Sequence, residues 1–509
     1  MMDTTSAYPQ LNWAESSTQE GLWQRDTDEI EDAYAGWEIR YEGSTGMFFS
    51  MTGHVSLCFP TLKEPAGTES DPVHAAIRKA WTALRYDHPA IASQTMMKPA
   101  GGFQKIYHTI KNEDDLRQWL DRTMVFVSGY KTGAEFANSR PPSPPSPTIF
   151  VVSAAAGDGK YRRDIVFRSP HSIIDGIGTL MLLNKLITYI NEALGSPTFT
   201  APALDGTEVK NLSPPYRVAA GVPPTPTEAM KRRLAESPTA STPDDNSGKK
   251  EPKVLSVPYT KGALEPGVPR RIALALSKDE TARLRRLCKD ANATPTHAFH
   301  AAVPMLMRDL QARGESEDVV RYVGYILRNE RASCLDPYNT AEHPVTLYHS
   351  ASRKGLNIDL ALPAAGSVAH SRKEEFSRVL SQMRDYYHSV RDDTEHAMLA
   401  PYLWKAAAGP CPSFADRPCP VPPPSDAPSV SISSMGEVDR IMPPSREAVE
   451  IYEPWVTGEE LRSGVGLFLG TYRGELCLSA AYNEAWQGED AVMEFLEGCK
   501  RIVFEGLGM

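Results

Sequence analysis

His171 and Asp175 stand four residues apart in SPHSIIDGIG (169–178), and Gly176 and Gly178 follow at once. An imidazole, with an ordinary pKa near 6.5, can take a proton from a hydroxyl at neutral pH, so His171 suits general-base work. The pattern alone leaves a second reading open, a buried histidine hydrogen-bonded to its own turn. Asp175 has two readings as well. It could join the chemistry, or it could bond nearby amides or an arginine and so fix the loop, which is the simpler expectation. A second HxxxD runs from His388 to Asp392, but it lies in a charged helical stretch without glycine and reads as a solvated face.

The segments around the first motif are the right ones to aim a side chain. DIVFRS (164–169) reads as an apolar strand entering it. After it, Ile177, Leu180, Leu183, Ile187, Ile190 and Leu194 recur at helical spacing, with Asn184, Lys185, Thr188 and Asn191 opposite. A strand-to-helix turn with glycines lets backbone approach a substrate closely, or simply makes the turn.

At 509 residues the chain is too long for one ordinary core, and two domains of roughly 200 residues are expected. A hydrophobic share of 41% can fill those cores. A formal charge of −10 argues against nucleic acid or an anionic membrane as the main partner. No stretch reads as a secretory signal or as a membrane span, and the seven scattered cysteines read as reduced thiols, so a cytoplasmic setting is expected. The sequence offers no metal site: Cys411 and Cys419 are the only close cysteine pair, with no second pair and no nearby histidine. G-x-S-x-G, H-E-x-x-H and G-x-x-x-x-G-K-[ST] are all missing, which argues against hydrolases of those types and phosphate-loop enzymes.

Both halves alternate strands and helices. In the first, HVSLCFP (54–60) reads as a strand, followed by a helix capped by Asp71 with Pro72 at its first position. SPTIFVVSAAA and DIVFRS read as strands joined by the turn GDGKYR (157–162). In the second half, PRRIALALS is a strand, and Ser277 with Glu280 predicts a capping box. VVRYVGYILRNER reads as one strand, and a hairpin turns at Arg473-Gly474 before a closing helix. Residues 196–262 are proline-rich and polar, and read as a partly mobile crossover between domains 1–195 and 263–509. A shorter proline-rich stretch, 409–428, reads as an ordered surface loop.

His171-Ser-Ile-Ile-Asp175-Gly176 resembles the HxxxDG signature of the acyl-CoA-dependent acyltransferases of the BAHD superfamily, with the related condensation domains and chloramphenicol acetyltransferases. AIRKAWTALRYDHPAIAS resembles that family's early helix, TPTHAFHAAV the helix opening its second domain, and LRNER its Asn-x-Arg strand, here Asn329 and Arg331. SISSMGEVD resembles the Ser-x-x-Gly strand of a fungal branch. The resemblance covers most of the chain in the right order. The DFGWG motif of plant members is missing, and Pro170 stands where peptide-synthetase condensation domains usually carry a second histidine. Length and N-terminal region are most similar to the trichothecene 15-O-acetyltransferases.

The resemblance implies two related chloramphenicol-acetyltransferase-like α/β domains, with a tunnel and the active site at their interface. It implies acetyl transfer from acetyl-CoA to the hydroxyl of a fungal secondary metabolite, the C-15 hydroxyl of a trichothecene foremost. Carrier-dependent condensation, or another alcohol acceptor, is the alternative. His171 would be the base, Asp175 would hold the loop through Arg331, and no acyl-enzyme would form. Gly176 would support the loop. Ser433, Ser434 or the backbone at Gly436 would donate to the oxyanion, unless they are merely small residues packed between strands. No tightly bound cofactor and no partner subunit is required. Arg372, Lys373 and Arg378 could meet CoA phosphates, but read equally as an ordinary charged helix.

Overall fold

The computed structural model describes residues 7–62, 71–153, 161–236, 251–367 and 371–509. The elements that frame the site, in chain order, begin with α1 (Glu29–Arg40), β1 (Met51–Phe59), α2 (Pro72–Asp87), β2 (Met124–Val127), β3 (Thr148–Val152), β4 (Tyr161–Ser169) and α3 (Gly176–Gly195). The second half supplies β5 (Pro269–Ala275), α4 (Pro295–Asp309), β6 (Leu327–Asn329), β7 (His349–Ala351), α5 (Arg372–Arg391) and α6 (His396–Ala408). It ends with β8 (Val430–Glu437), β9 (Glu450–Gly458), β10 (Val465–Tyr472), β11 (Glu475–Asn483) and α7 (Glu489–Leu507).

Two mixed sheets carry the fold, which is α/β as expected. The first has the order β9-β1-β4-β3-β2, antiparallel except for the parallel pair β2·β3. Its apolar face packs on α2 and α3, where Trp81, Leu84, Leu180, Leu183 and Ile187 are fully buried. Gly53 on β1 allows that fit, because a side-chain carbon there would lie 2.5 Å from Thr179 Cγ2. The second sheet has the order β5-β11-β10-β8, with β8 parallel to β10, and packs on α4 and α7, with α5 against those two helices, around Phe299, Phe376 and Leu496.

Local expectations match closely. Asp71 caps α2 with Pro72 in its first turn, and Ser277 with Glu280 forms the capping box of the helix Lys278–Asp290. The β10–β11 hairpin turns at Arg473 and Gly474, both at positive φ. The turn GDGKYR lies mostly outside the described residues.

Three features go beyond the sequence reading. β9, from late in the chain, pairs with β1 in the first sheet, across the division into 1–195 and 263–509. Arg168 of β4 ties this crossing in place through Glu459, just after β9. The segment 196–262 is more than a linker, since Tyr216, Ala219 and Val222 are buried in a core shared with α1 and α6, and Val218 is buried against Tyr8 and Leu11; its residues 237–250 lie outside the described part. Finally, VVRYVGYILRNER is two strands, Asp318–Gly324 and β6, in different sheets. The break follows Gly324, after which buried Ile326 carries the chain over to pair with β7. Among the described residues, no helix is long and apolar enough to cross a membrane.

Candidate active site

The turn between β4 and α3 is held from both sides. Asp175 is the N-cap of α3, where one carboxylate oxygen accepts the Gly178 N–H at 2.7 Å. Its other oxygen accepts from Arg331 Nη1 at 2.9 Å and from the Tyr348 N–H at 3.0 Å. The Asp175 N–H in turn donates to the Thr346 carbonyl at 3.1 Å. Both side chains of the Asp175–Arg331 pair are buried. Burial opposes the charge on Asp175, yet Arg331 and His349 hold its carboxyl below the usual carboxylate range. Both oxygens are engaged this way, and the Arg331 pairing that the resemblance implied is present.

Gly178 has a steric reason to be glycine. A side-chain carbon there would lie 2.1 Å from the Pro344 carbonyl and 2.8 Å from Arg331 Nη2. At Gly176 the nearest atom, Val456 Cγ2, would be 3.5 Å away, an ordinary contact. Gly178→Ala should therefore cost about 1–3 kcal/mol through overpacking against the ion pair, whereas Gly176→Ala should be much better tolerated. Thermal unfolding of both variants checks this difference.

His171 sits in the same turn, partly exposed, beneath an aromatic wall. Tyr34 of α1 stacks on it with ring centroids 4.1 Å apart and planes 24° from parallel. His349 of β7 lies 5.8 Å away, centroid to centroid, and the Tyr34 hydroxyl is hydrogen-bonded to His349 Nε2 at 2.9 Å. Trp404 of α6 closes on both Tyr34 and His349, at 5.5 Å from each. Glu38, also on α1, accepts both the N–H and the hydroxyl of Ser172 at 3.0 Å. Residues distant in sequence thus converge on one imidazole.

Electrostatics keep that imidazole neutral. Burial first, and the neighbouring His349 second, lower its pKa to about 3. The carbonyls of His171 and Ile174 favour the charged ring, but Nδ1 is buried and forms no hydrogen bond of good geometry. A neutral ring at neutral pH is the form that can accept a proton.

The β8 strand reaches the site edge-on. Met435 Sδ lies 3.6 Å from the position a Gly176 side-chain carbon would take. The Ser434 hydroxyl is hydrogen-bonded to that of Thr296 at 2.9 Å, and a register irregularity separates Ser434 from Gly436, which has a φ of 67°. β8 is therefore brought to the start of α3, while the nearest contact there comes from Met435 and not from the serines. Arg372 pairs with Asp309 and Glu505, and Arg378 with Glu375, so two of the three cations considered for CoA phosphates already face carboxylates.

Sequence reasoning found His171, Asp175, Arg331 and the Ser-x-x-Gly strand, but missed Tyr34, Glu38, His349 and Trp404. The one available signal was the four-residue spacing of Tyr34 and Glu38, which places them on one helix face. Nothing local connects that face to residue 171.

No protein-family model matches the chain. It is 26% identical over 511 residues to O-acetyltransferase pigM of Monascus ruber, covering 98% of this chain and 88% of that protein. Acetyltransferase pigO of the same organism is 22% identical over 451 residues, covering 85% and 86%. Among solved structures, the TRI3 trichothecene 15-O-acetyltransferase of Fusarium sporotrichioides superposes with a TM-score of 0.75 at 16% identity, covering 98% of each chain. The first condensation domain of the calcium-dependent antibiotic synthetase superposes with a TM-score of 0.55 at 12% identity, covering 94% of this chain and 95% of that one. The fold is therefore that of the condensation domains and their chloramphenicol-acetyltransferase-like relatives, and the chain is an acyltransferase enzyme with fungal acetyltransferases as its relatives.

Proposed function

We propose that this acyltransferase moves an acetyl group from acetyl-CoA to an alcohol of a small secondary metabolite, with His171 as the general base. The observation that carries the reading is an imidazole stacked under Tyr34 in a turn that residues from both halves of the chain build. The relatives' acetyltransferase names support acetyl as the group transferred. The Fusarium trichothecene 15-O-acetyltransferase makes the 15-hydroxyl of a trichothecene the first acceptor to try.

The chemistry then runs in one ternary complex. His171 removes the hydroxyl proton as the alcohol oxygen attacks the thioester carbonyl, and a tetrahedral oxyanion forms. Donors on β8, from Ser433, Ser434 or the backbone at Gly436, stabilise that charge. Collapse expels the CoA thiolate, which recovers the proton from the imidazolium, so base and acid are the same ring and no acyl-enzyme is required. Asp175 and Arg331 keep the turn in shape and take no part in proton transfer.

This reading fixes a pH dependence. His171 must be neutral to accept the proton, so protonating it stops the reaction. Burial favours the neutral ring, which shifts its titration downward from 6.5 to about 3. The profile of kcat/KM, which reports the free enzyme, should therefore show no His171 inflection at 6.5, and an acid-side half-point well below it. A half-point at 6.5 or above that persists in Glu38→Gln, which removes the neighbouring carboxyl that burial pushes up to about 7, would contradict the assignment.

The substrate assignment is tested with acetyl-CoA and a panel of alcohols, a trichothecene with a free 15-hydroxyl among them. Mass spectrometry should find the O-acetyl ester of at least one acceptor. Ester formation only from a carrier-bound thioester would overturn free acetyl-CoA as donor.

A further inference from the structure

Catalytic histidines are commonly oriented by a hydrogen bond at the ring nitrogen away from the reaction. Here the carbonyls of His171 itself and Ile174 lie beside the ring but give Nδ1 no hydrogen bond of good geometry, and Asp175, four residues on, spends its carboxylate on Gly178, Arg331 and Tyr348. The ring's orientation then needs further support.

The candidate is α1. Asp28 and Glu31 form its capping box, which fixes where the helix starts and hence which residues share a face. Tyr34 and Glu38 are four residues apart and lie on one face. That face is braced from behind, because Trp404 of α6 packs against Tyr34 and against Trp37. Each residue then acts on a different part of the histidine turn. The Tyr34 ring covers the imidazole at 4.1 Å, and its hydroxyl is anchored to His349 at 2.9 Å, so the stack cannot slide freely. The Glu38 carboxylate grips the backbone N–H and hydroxyl of Ser172, immediately after His171. One contact sets the plane of the ring, the other the place of its main chain.

We propose that Tyr34 and Glu38 are positioning residues for His171, together doing from one helix face what a carboxylate bonded to the ring does elsewhere. Neither has to touch the substrate: Tyr34 is 5% exposed, and the hydrogen bonds of Glu38 are spent on Ser172. The proposal rests on His171 being the base.

Its kinetic signature is a loss in turnover without an equal loss in binding. Misplacing a catalytic group by about 1 Å can cost 10²-fold. Tyr34→Ala and Glu38→Ala should each lower kcat by about 10- to 100-fold with KM changed by less than about threefold. Tyr34→Phe keeps the stacked ring and Glu38→Gln keeps an acceptor for Ser172, so each should restore most of the lost rate. Rates are normalised to folded protein by circular dichroism. The idea is overturned if both alanine variants keep kcat within about threefold of wild type, or if the conservative variants lose as much as the alanine ones.

A second measurement does not depend on the reaction. The imidazole proton resonances of His171, assigned by their loss in His171→Ala, carry the ring current of the stacked Tyr34. They should shift in Tyr34→Ala and stay near the wild-type position in Tyr34→Phe. If His171→Ala keeps full transferase activity, the base assignment fails by itself; the resonances then still decide whether Tyr34 holds the ring. An unshifted resonance in Tyr34→Ala overturns that part.

Discussion

His171→Ala should lower kcat/KM for acetyl transfer by about 10²–10⁴-fold, the usual worth of a positioned general base. The loss should fall mainly on kcat, because the imidazole acts on the proton in flight and contributes little to holding either substrate. The substitution should leave a folded protein. His171 is partly exposed and its Nδ1 makes no hydrogen bond, so its removal orphans no buried partner. Activity and unfolding measured on the same preparation separate chemistry from folding. A residual rate within about tenfold of wild type, in a folded variant, would remove His171 from the role of base.

The second large effect is on stability. Arg331→Ala removes the charged partner of Asp175 while that carboxylate stays buried, and breaking such a pair from one side typically costs about 3–5 kcal/mol. The two residues are 156 positions apart, so the pair also staples the histidine turn to the segment between β6 and β7. Urea unfolding should show the loss, with the site failing alongside it. Asp175→Asn leaves Arg331 as a lone buried charge in its turn, a loss that the retained cap on α3 and the bond from the Gly178 N–H offset only in part. The double variant Asp175→Asn with Arg331→Met should recover part of the loss in Arg331→Ala, because it leaves no lone buried charge. Activity supplies the contrast with a chemical role. If Asp175 only holds the loop, the rate of Asp175→Asn follows its folded fraction. A folded Asp175→Asn that is as inactive as His171→Ala would give the carboxylate a part in the chemistry.

The contrast between found and missed residues has a physical basis. The histidine turn was legible because its signals are local: an apolar strand, an N-cap aspartate, and glycines at a crowded helix start. Gly178 shows why such a motif is tight, since any side chain would strike Pro344 and Arg331. The Asp71 cap, the Ser277–Glu280 capping box and the Arg473-Gly474 hairpin were legible for the same reason. The aromatic wall was not. Tyr34 and His349 meet across 315 residues, and no periodicity encodes that meeting. β9 was not legible either: Pro454 and a register shift between Tyr452 and Trp455 interrupt it, and nothing in the strand names β1 as its neighbour. The serines of β8 show the converse limit. Their pattern placed the strand correctly, yet the contact that β8 makes at Gly176 comes from Met435.

The measurement that bears most directly on the central claim is thiol release from acetyl-CoA, followed with and without an acceptor alcohol, for wild type and His171→Ala. Thiol should appear from the wild type only when the alcohol is present, in equal amount to the ester, with no acetyl left on the protein, and the variant should release almost none. Alcohol-independent release with stoichiometric acetylation of the protein, or equal rates in wild type and variant, would contradict direct transfer with His171 as base.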